Sequence, residues 1–200
     1  MSLTEALLEN PVVYRLWQAP FANRKLTPVF AHTDLNAVRR VLDVGCGPGT
    51  NAPHFKDNYY LGLDFNPKYI ESARRRFNGE FIVADVTKYK VEASTRFDFI
   101  LVNSILHHID DANTSRILRH LSELLTPDGH VHILELVDPQ KPGIAKLLAR
   151  WDRGQFARPL NQWCEIFSRH FEPEIFEPYS LSAVGVPLWN MIYFKGCARN

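Results

Sequence analysis

The 200 residues are 46% hydrophobic and 22% charged, the mix of an ordinary globular chain long enough to bury a sizeable core. Lys and Arg number 23 against 22 Asp and Glu, a formal net charge of +1, which argues against the basic stripe of a dedicated nucleic-acid binder. Thirteen Phe, seven Tyr and four Trp exclude a disordered chain.

Three cysteines, Cys46, Cys164 and Cys197, are an odd number without CxxC spacing, which argues against a disulfide framework and a structural zinc site. No basic start followed by an apolar run marks a signal peptide, and no stretch approaches the ~20 apolar residues of a membrane span. The expected setting is reduced and cytoplasmic, without stable membrane insertion. The expected organisation is one domain over residues 1–200, with a helical cap segment at 1–37 and a core at 38–200.

The first forty residues read as helices broken by Pro11, Pro20 and Pro28, with aromatics at Tyr14, Trp17, Phe21 and Phe30. From Arg39 short apolar runs alternate with helical stretches, the pattern of a parallel α/β sheet. Strands are predicted at 41–44, 59–63, 80–84, 97–102 and 130–137. A helix over 66–77 opens with Asn66 as N-cap and Pro67 at the first helical position. A second, over 111–125, places Ile117, Leu118, Leu121, Leu124 and Leu125 on one stripe and stops at Pro127-Asp-Gly129. An amphipathic helix follows at 143–151, in a locally basic stretch holding Lys141, Lys146, Arg150, Arg153 and Arg158. Residues 174–179 and 189–198 read as an antiparallel hairpin at the sheet edge. The expected fold is a doubly wound, Rossmann-like seven-stranded sheet, mostly parallel, with that antiparallel C-terminal hairpin.

The informative segment is Val41-Leu-Asp-Val-Gly-Cys-Gly-Pro-Gly-Thr50: an apolar strand running into three alternating glycines and the start of a helix. Glycine allows a tight turn and lets a ligand lie against the backbone, at the strand ends where open α/β sheets bind ligands. The spacing is GxGxG rather than the GxGxxG of a dinucleotide site, so the third glycine is not expected where helix–strand packing wants it, and NAD is disfavoured. Acids follow at the ends of successive strands. Asp43 precedes the turn and suits an ammonium; Asp64 is placed for ribose hydroxyls; Asp85 is placed for an adenine amino group. Each acid alone reads more readily as a helix cap or a solvated loop residue than as a ligand group. Three in this order point to one ligand.

These residues resemble a class I S-adenosylmethionine-dependent methyltransferase of the small-molecule, type 11/12-like kind, over roughly residues 38–137. The resemblance implies that Asp43, Gly45, Cys46 and Gly47 wrap the methionine part of the cofactor. It implies that Asp64 holds the ribose with Phe65 beside the adenine, and that Asp85 meets the adenine amino group with Val86 adjacent. Residues 103–109, beginning at Asn103, resemble the stretch that faces the methyl donor. Leu125-Thr-Pro-Asp-Gly129 resembles the family's Leu-x-Pro-Gly-Gly turn, with Asp128 as a departure. S-adenosyl-L-methionine is the implied cofactor and S-adenosyl-L-homocysteine its product.

Asn103-Ser-Ile-Leu lacks the Pro-Pro-aromatic element of amino-methylating nucleic-acid enzymes, and no Pro-Cys pair exists for cytosine C5 chemistry. The acceptor is therefore expected to be a small organic molecule, not nucleic acid. Displacement at a sulfonium needs a nucleophile in line at ~3 Å and exclusion of water, not a covalent protein intermediate. A general base helps a protonated acceptor, and His107 and His108 are the candidates, though either could simply cap or pack under the next helix. Tyr14, Trp17, Phe21 and Trp151 are candidates to wall the acceptor pocket. Cys46 reads as a small residue tolerated near the cofactor rather than a nucleophile. His130 and His132 share a strand face but lack a third ligand, so no metal is expected. The alternatives are a non-catalytic, cofactor- or partner-binding member of the same fold and, disfavoured by its glycine spacing, an NAD-dependent oxidoreductase.

Overall fold

The computed structural model describes residues 21, 24–89, 95–140, 146, 155–183 and 186–199. A short helix α1 (Thr27–Ala31) precedes β1 (Arg40–Val44), β2 (Tyr59–Asp64), α2 (Pro67–Arg76), β3 (Glu80–Val83) and β4 (Phe97–Asn103). Then follow α3 (Asp111–Leu124), β5 (Leu125–Leu136), α4 (Leu160–His170), β6 (Phe171–Ala183) and β7 (Val186–Ala198). The seven strands lie in the order β3-β2-β1-β4-β5-β7-β6. The pairs from β3 through β5 are parallel, and β7 is antiparallel to both β5 and β6. The predicted doubly wound sheet and its antiparallel hairpin are both present.

Strand alternation sorts the core into two layers. Leu42, Val44, Ile100, Val102 and Val131 face the layer that holds Ile117, Leu118 and Leu121 of α3 and Trp163 and Phe167 of α4. Val41, Tyr60, Phe99, Leu101 and Leu134 face the opposite layer, with Ile70 and Ala73 of α2 and Val29 of α1. Local chemistry starts the helices as expected: Asn66 accepts from Lys68 N at 2.9 Å, and Asp110 accepts from Asn113 N at 2.9 Å. The strand order reverses between β1 and β4, so the loops after these two strands diverge around a crevice, the usual ligand position in such sheets.

Four features differ from the sequence reading. The glycine turn opens into a 3-10 helix, Ala52–Phe55, instead of an α-helix. Pro127-Asp-Gly129 is not a turn before β5 but a bulge within it, since Phe97 pairs with Leu125 and Phe99 with His130, five residues opposing two. The hairpin strands are 13 residues each, longer than predicted; Pro173 and Pro178 interrupt the sequence pattern yet sit on the edge strand, where a missing N–H costs no ladder bond. Helix α4 was not predicted, although Trp163, Ile166 and Phe167 carry the i, i+3, i+4 signal. The predicted helix at 143–151 lies outside the described residues apart from Lys146, which is helical.

Candidate active site

The glycine turn sits at the carboxyl end of β1, directly beside the turn that follows β4. Gly45 has φ of 75°, and a Cβ there would strike Ile105 Cγ2, so this glycine lets the two loops close on each other. Gly49, with φ of 79°, corrects the sequence argument about the third glycine. Its missing Cβ would lie 2.7 Å from the Phe77 ring and 3.1 Å from Ala73 Cβ, so it serves close helix packing after all. Gly45 N and Cys46 N donate to Leu63 O at 2.8 and 2.9 Å, which ties the turn to β2.

Asp43 is fully buried. Tyr60 Oη and Asn51 Nδ2 both donate to its Oδ2, while Oδ1 is buried with no hydrogen-bond partner. Burial raises its carboxyl to about pKa 6, against the lowering effect of those two donors. A buried acceptor without a donor costs stability on the order of 1–3 kcal/mol, and a ligand ammonium would satisfy it. Asp64 accepts Gly47 N at 3.0 Å through Oδ2 and Asn66 N at 2.8 Å through Oδ1. Burial raises its carboxyl, and the two N–H groups oppose that. Each oxygen keeps a further lone pair for an outside hydroxyl. Phe65, next in sequence, is 76% exposed, the most exposed large apolar side chain among the described residues.

Asp85 lies two residues beyond β3, not at its end. Its Oδ1 accepts Thr87 Oγ1 at 2.6 Å and Thr87 N at 3.0 Å, and Lys88 stands 3.2 Å from Oδ2; these bonds hold its carboxyl below the ordinary range. Val86 is half-buried against the core. Asn103 ends β4 and accepts from Ser104 Oγ at 3.1 Å. Cys46 is buried with Sγ 3.5 Å from Gly47 O; burial pushes its thiol far up, so it stays protonated.

The turn after β4 holds both histidines in the 3-10 helix Leu106–His108. His107 is 3% exposed, with Nδ1 2.7 Å from Glu135 Oε2, whereas His108 is exposed. Glu135, fully buried on β5, also accepts Ile105 N and Leu106 N, each at 2.7 Å, through Oε1. Burial alone would raise this carboxyl, but His107 and the backbone donors outweigh it and hold it below its usual value. An ionised carboxylate only accepts, so His107 Nδ1 carries the hydrogen. Arg158, 3% exposed, grips the turn from outside: it donates to Leu106 O at 3.1 Å, Ile109 O at 2.7 Å and Asp111 Oδ1 at 2.7 Å, and lies 4.6 Å over the Trp163 ring. Glu135 was missed in the sequence, where one acid at the end of an otherwise apolar buried strand is the signal.

Phe21 packs edge-on against Trp189, ring centroids 4.9 Å apart. Tyr14, Trp17 and Trp151 lie outside the described residues. His130 bonds Glu174 at 2.7 Å and His132 is buried against Tyr193 Oη at 3.0 Å, so each has its own partner. Among the described residues no group of three or more His, Cys, Asp or Glu could hold a metal ion. A groove of about 150 Å³ between α3 and α4, lined by Asp111, Ser115, Arg169 and His170 among others, includes none of the predicted site residues.

Residues 41–129 match the family model described as "Methyltransferase domain". A trans-aconitate 2-methyltransferase of Methylobacterium radiotolerans is 34% identical over 125 residues, covering 60% of this chain and 46% of the relative. An uncharacterised methyltransferase of Mycobacterium tuberculosis is 32% identical over 129 residues, covering 62% of this chain and 64% of the relative. The chain thus spans about half to two-thirds of the length of these curated relatives. Among solved structures, the N-methyltransferase NodS of Bradyrhizobium japonicum, crystallised with S-adenosyl-L-homocysteine, has the same fold. Its TM-score is 0.73 at 15% identity, covering 98% of this chain and 96% of that one.

Proposed function

We propose that the chain, whose residues 41–129 match a methyltransferase-domain model, is a class I S-adenosylmethionine-dependent methyltransferase that transfers a methyl group to a small organic acceptor by direct in-line displacement. S-adenosylmethionine supplies a sulfonium methyl with a neutral thioether leaving group. The residues present fit that cofactor, and the observation that carries the reading is Asp43, a buried carboxylate beside the glycine turn with one oxygen lacking a donor.

In this reading Asp43 meets the cofactor's ammonium. Gly45, Cys46 and Gly47 line its methionine part, and Asp64 accepts from the ribose hydroxyls. Phe65 and Val86 flank the adenine, whose amino group Asp85 receives. Asn103 and the turn behind it face the methyl. As the acceptor's lone pair forms its bond to the methyl carbon and the carbon–sulfur bond breaks, the acceptor's proton passes to a base. His107 is the imidazole best prepared for this, because Glu135 fixes its Nδ1–H and leaves Nε2 as the basic atom; exposed His108 is the neighbouring alternative. The N-terminal segment 1–37, with Tyr14, Trp17 and Phe21, and the stretch around Trp151 exclude water above a core at 38–200.

The trans-aconitate methyltransferase among the relatives supports a small-molecule acceptor, and Asn103-Ser-Ile-Leu argues against nucleic acid. Among the described residues no helix is long and apolar enough to cross a membrane. Titration calorimetry with S-adenosylmethionine, S-adenosylhomocysteine and NAD tests the cofactor; micromolar binding of the first two and none of NAD is expected. Mass-spectrometric screening for acceptor-dependent S-adenosylhomocysteine release tests turnover. Cofactor binding without release for any acceptor would favour the non-catalytic alternative.

A further inference from the structure

The turn after β4 is gripped from two directions. From the sheet, Glu135 Oε1 accepts Ile105 N and Leu106 N, and Oε2 lies 2.7 Å from His107 Nδ1. From the other side the stretch just before α4 takes the carbonyls. Phe156 N donates to His107 O at 2.9 Å, Arg158 Nη1 to Leu106 O at 3.1 Å and Arg158 Nη2 to Ile109 O at 2.7 Å. That stretch is tied to the end of β5, since Arg158 bridges Val137 and Asp138 N donates to Arg158 O at 2.9 Å. Leu106, the residue before His107, thus has its N–H on a buried anion and its C=O on a buried cation.

Stability alone does not account for Arg158. Its side chain is 3% exposed, and its ion partner among the described residues, Asp111, is 67% exposed. Neighbouring Asp110 gives its carboxylate to Asn113. Removing a guanidinium from water is costly, and a carboxylate that stays in water repays little of it. An apolar side chain of similar length would cover the Trp163 ring, whose centroid lies 4.6 Å from the guanidinium carbon, without that cost. What an apolar side chain cannot do is hold two carbonyls and a carboxylate with one rigid plane of donors, and a lysine ammonium is no substitute for that fork.

We infer that Arg158 is a positioning residue for methyl transfer: by fixing Leu106 O and Ile109 O it sets the direction in which His107 presents its imidazole to the acceptor. The inference rests on the reading above, in which His107 takes the acceptor's proton. Leu106 and Ile109 bracket both histidines, so one guanidinium spans the two ends of the 3-10 turn. Glu135 fixes which ring nitrogen carries the hydrogen, and Arg158 fixes the backbone from which the ring departs. Proton transfer is steep in geometry, and a displacement of about 1 Å can cost on the order of 10²-fold in rate. The hydrogen bonds of Arg158 go to this turn and to Asp111, not to the acids of the β1–β3 side, so cofactor affinity is spared.

The first readout needs no acceptor. In the full chain with isotope-labelled histidine, saturated with S-adenosylhomocysteine, the His107 Nδ1–H proton is expected far downfield and slow to exchange, because a carboxylate holds it. Arg158→Met, which keeps the contact with Trp163, should shift that resonance and speed its exchange at least about tenfold, with the Kd for S-adenosylhomocysteine unchanged. Arg158→Lys keeps the charge without the fork and should follow Arg158→Met rather than wild type. Ile70→Val, a core change in α2 on the opposite layer, lowers stability and should leave the resonance in place. The second readout is kcat with the acceptor that the metabolite screen yields. It should fall at least about tenfold in Arg158→Met with KM unmoved, and the losses in the Glu135→Gln, Arg158→Met double variant should not multiply, since both act through one imidazole. Asp111→Asn loosens the same fork from its exposed end and serves if Arg158→Met fails a thermal-melt check. A His107 proton or a kcat that stays at its wild-type value, or losses that multiply, overturns the positioning role and leaves methyl transfer standing. Release from no acceptor class, in protein that binds S-adenosylhomocysteine, overturns the methyl-transfer reading and this inference with it.

Discussion

On the β1–β3 side of the strand ends, site groups lie in or just beyond a strand terminus and take their partners from nearby turns. Asp64 bonds Gly47 and Asn66, and Asp85 bonds Thr87. On the β4–β7 side the partners come from far along the chain: His107 from Glu135, Leu106 and Ile109 from Arg158, Lys25 from Tyr179 and Ser104. The first side closes within the paired β1 and β2 and the turns that follow β1, β2 and β3, with bonds that join Gly45 to Leu63 and Tyr60 to Asp43. The second is a tertiary assembly that exists only once β5, the 155–158 segment and the hairpin have docked. The difference teaches where sequence reading has purchase and where variants should act on binding or on chemistry.

The largest expected effect lies where the two sides touch. Gly45→Ala places a Cβ into Ile105 Cγ2 at φ of 75°, so strain and overlap together should destabilise by about 2–4 kcal/mol, read from the denaturant midpoint. Adding Ile105→Ala should return the overlap part, giving a favourable coupling above about 0.5 kcal/mol in the double-mutant cycle. Strict additivity would mean that the two loops do not constrain each other, and the two sides would be independent.

Glu135→Gln probes the tertiary side with little change of shape. An amide can still accept from Ile105 N and Leu106 N, but its NH2 faces His107 and forces the hydrogen onto the other ring nitrogen. The expected result is a loss of kcat of about 10²-fold with the Kd for S-adenosylmethionine unchanged. His107→Asn should show a similar loss of kcat with cofactor affinity unchanged. If His108→Asn loses the rate while His107→Asn keeps it, the base is the exposed histidine. Asp64→Ala is the counterpart on the local side. It should weaken cofactor binding by about 1.5–3 kcal/mol in calorimetry and leave the melting profile of the hairpin side unaffected.

The same contrast accounts for what the sequence discloses. The parallel strands, α2 and α3 follow from apolar runs, the Asn66 cap with Pro67, and the stripe from Ile117 to Leu125, whose last residue opens β5 instead, all of which act within one element. The acids of the β1–β3 side follow from strand order alone. Glu135 could not be assigned a role, because its significance depends on a histidine 28 residues earlier that only strand pairing brings within 2.7 Å. The hairpin strands were predicted too short because a proline reads as a stop unless the strand is known to lie at the edge. The third glycine was misjudged since its neighbour, Phe77, arrives from the far end of α2.

The smallest effect on ligand affinity, and the sharpest for the cofactor side, is proton linkage at Asp43. Burial raises this carboxyl from 3.8 to about 6, so the folded apo protein holds its proton more tightly than the unfolded chain does. Its contribution to apo stability is therefore greatest below about pH 4, declines as pH rises through about 6, and is flat above; about two units correspond to roughly 3 kcal/mol at most. A ligand ammonium at Oδ1 favours the ionised form and reverses the sense for binding. Affinity for S-adenosylhomocysteine should rise about tenfold from pH 5 to pH 7 and then level, with proton release near pH 6 detectable in buffers of different ionisation heat. Asp64 is also raised by burial and adds its own slope, so the comparison that isolates Asp43 is wild type against Asp43→Asn. In that variant the Asp43 part of the slope should vanish, the apo protein should melt higher at pH 7, and affinity at pH 7 should fall. Identical pH slopes in both proteins would move the ammonium away from Asp43 and leave its orphan oxygen without a ligand to explain it.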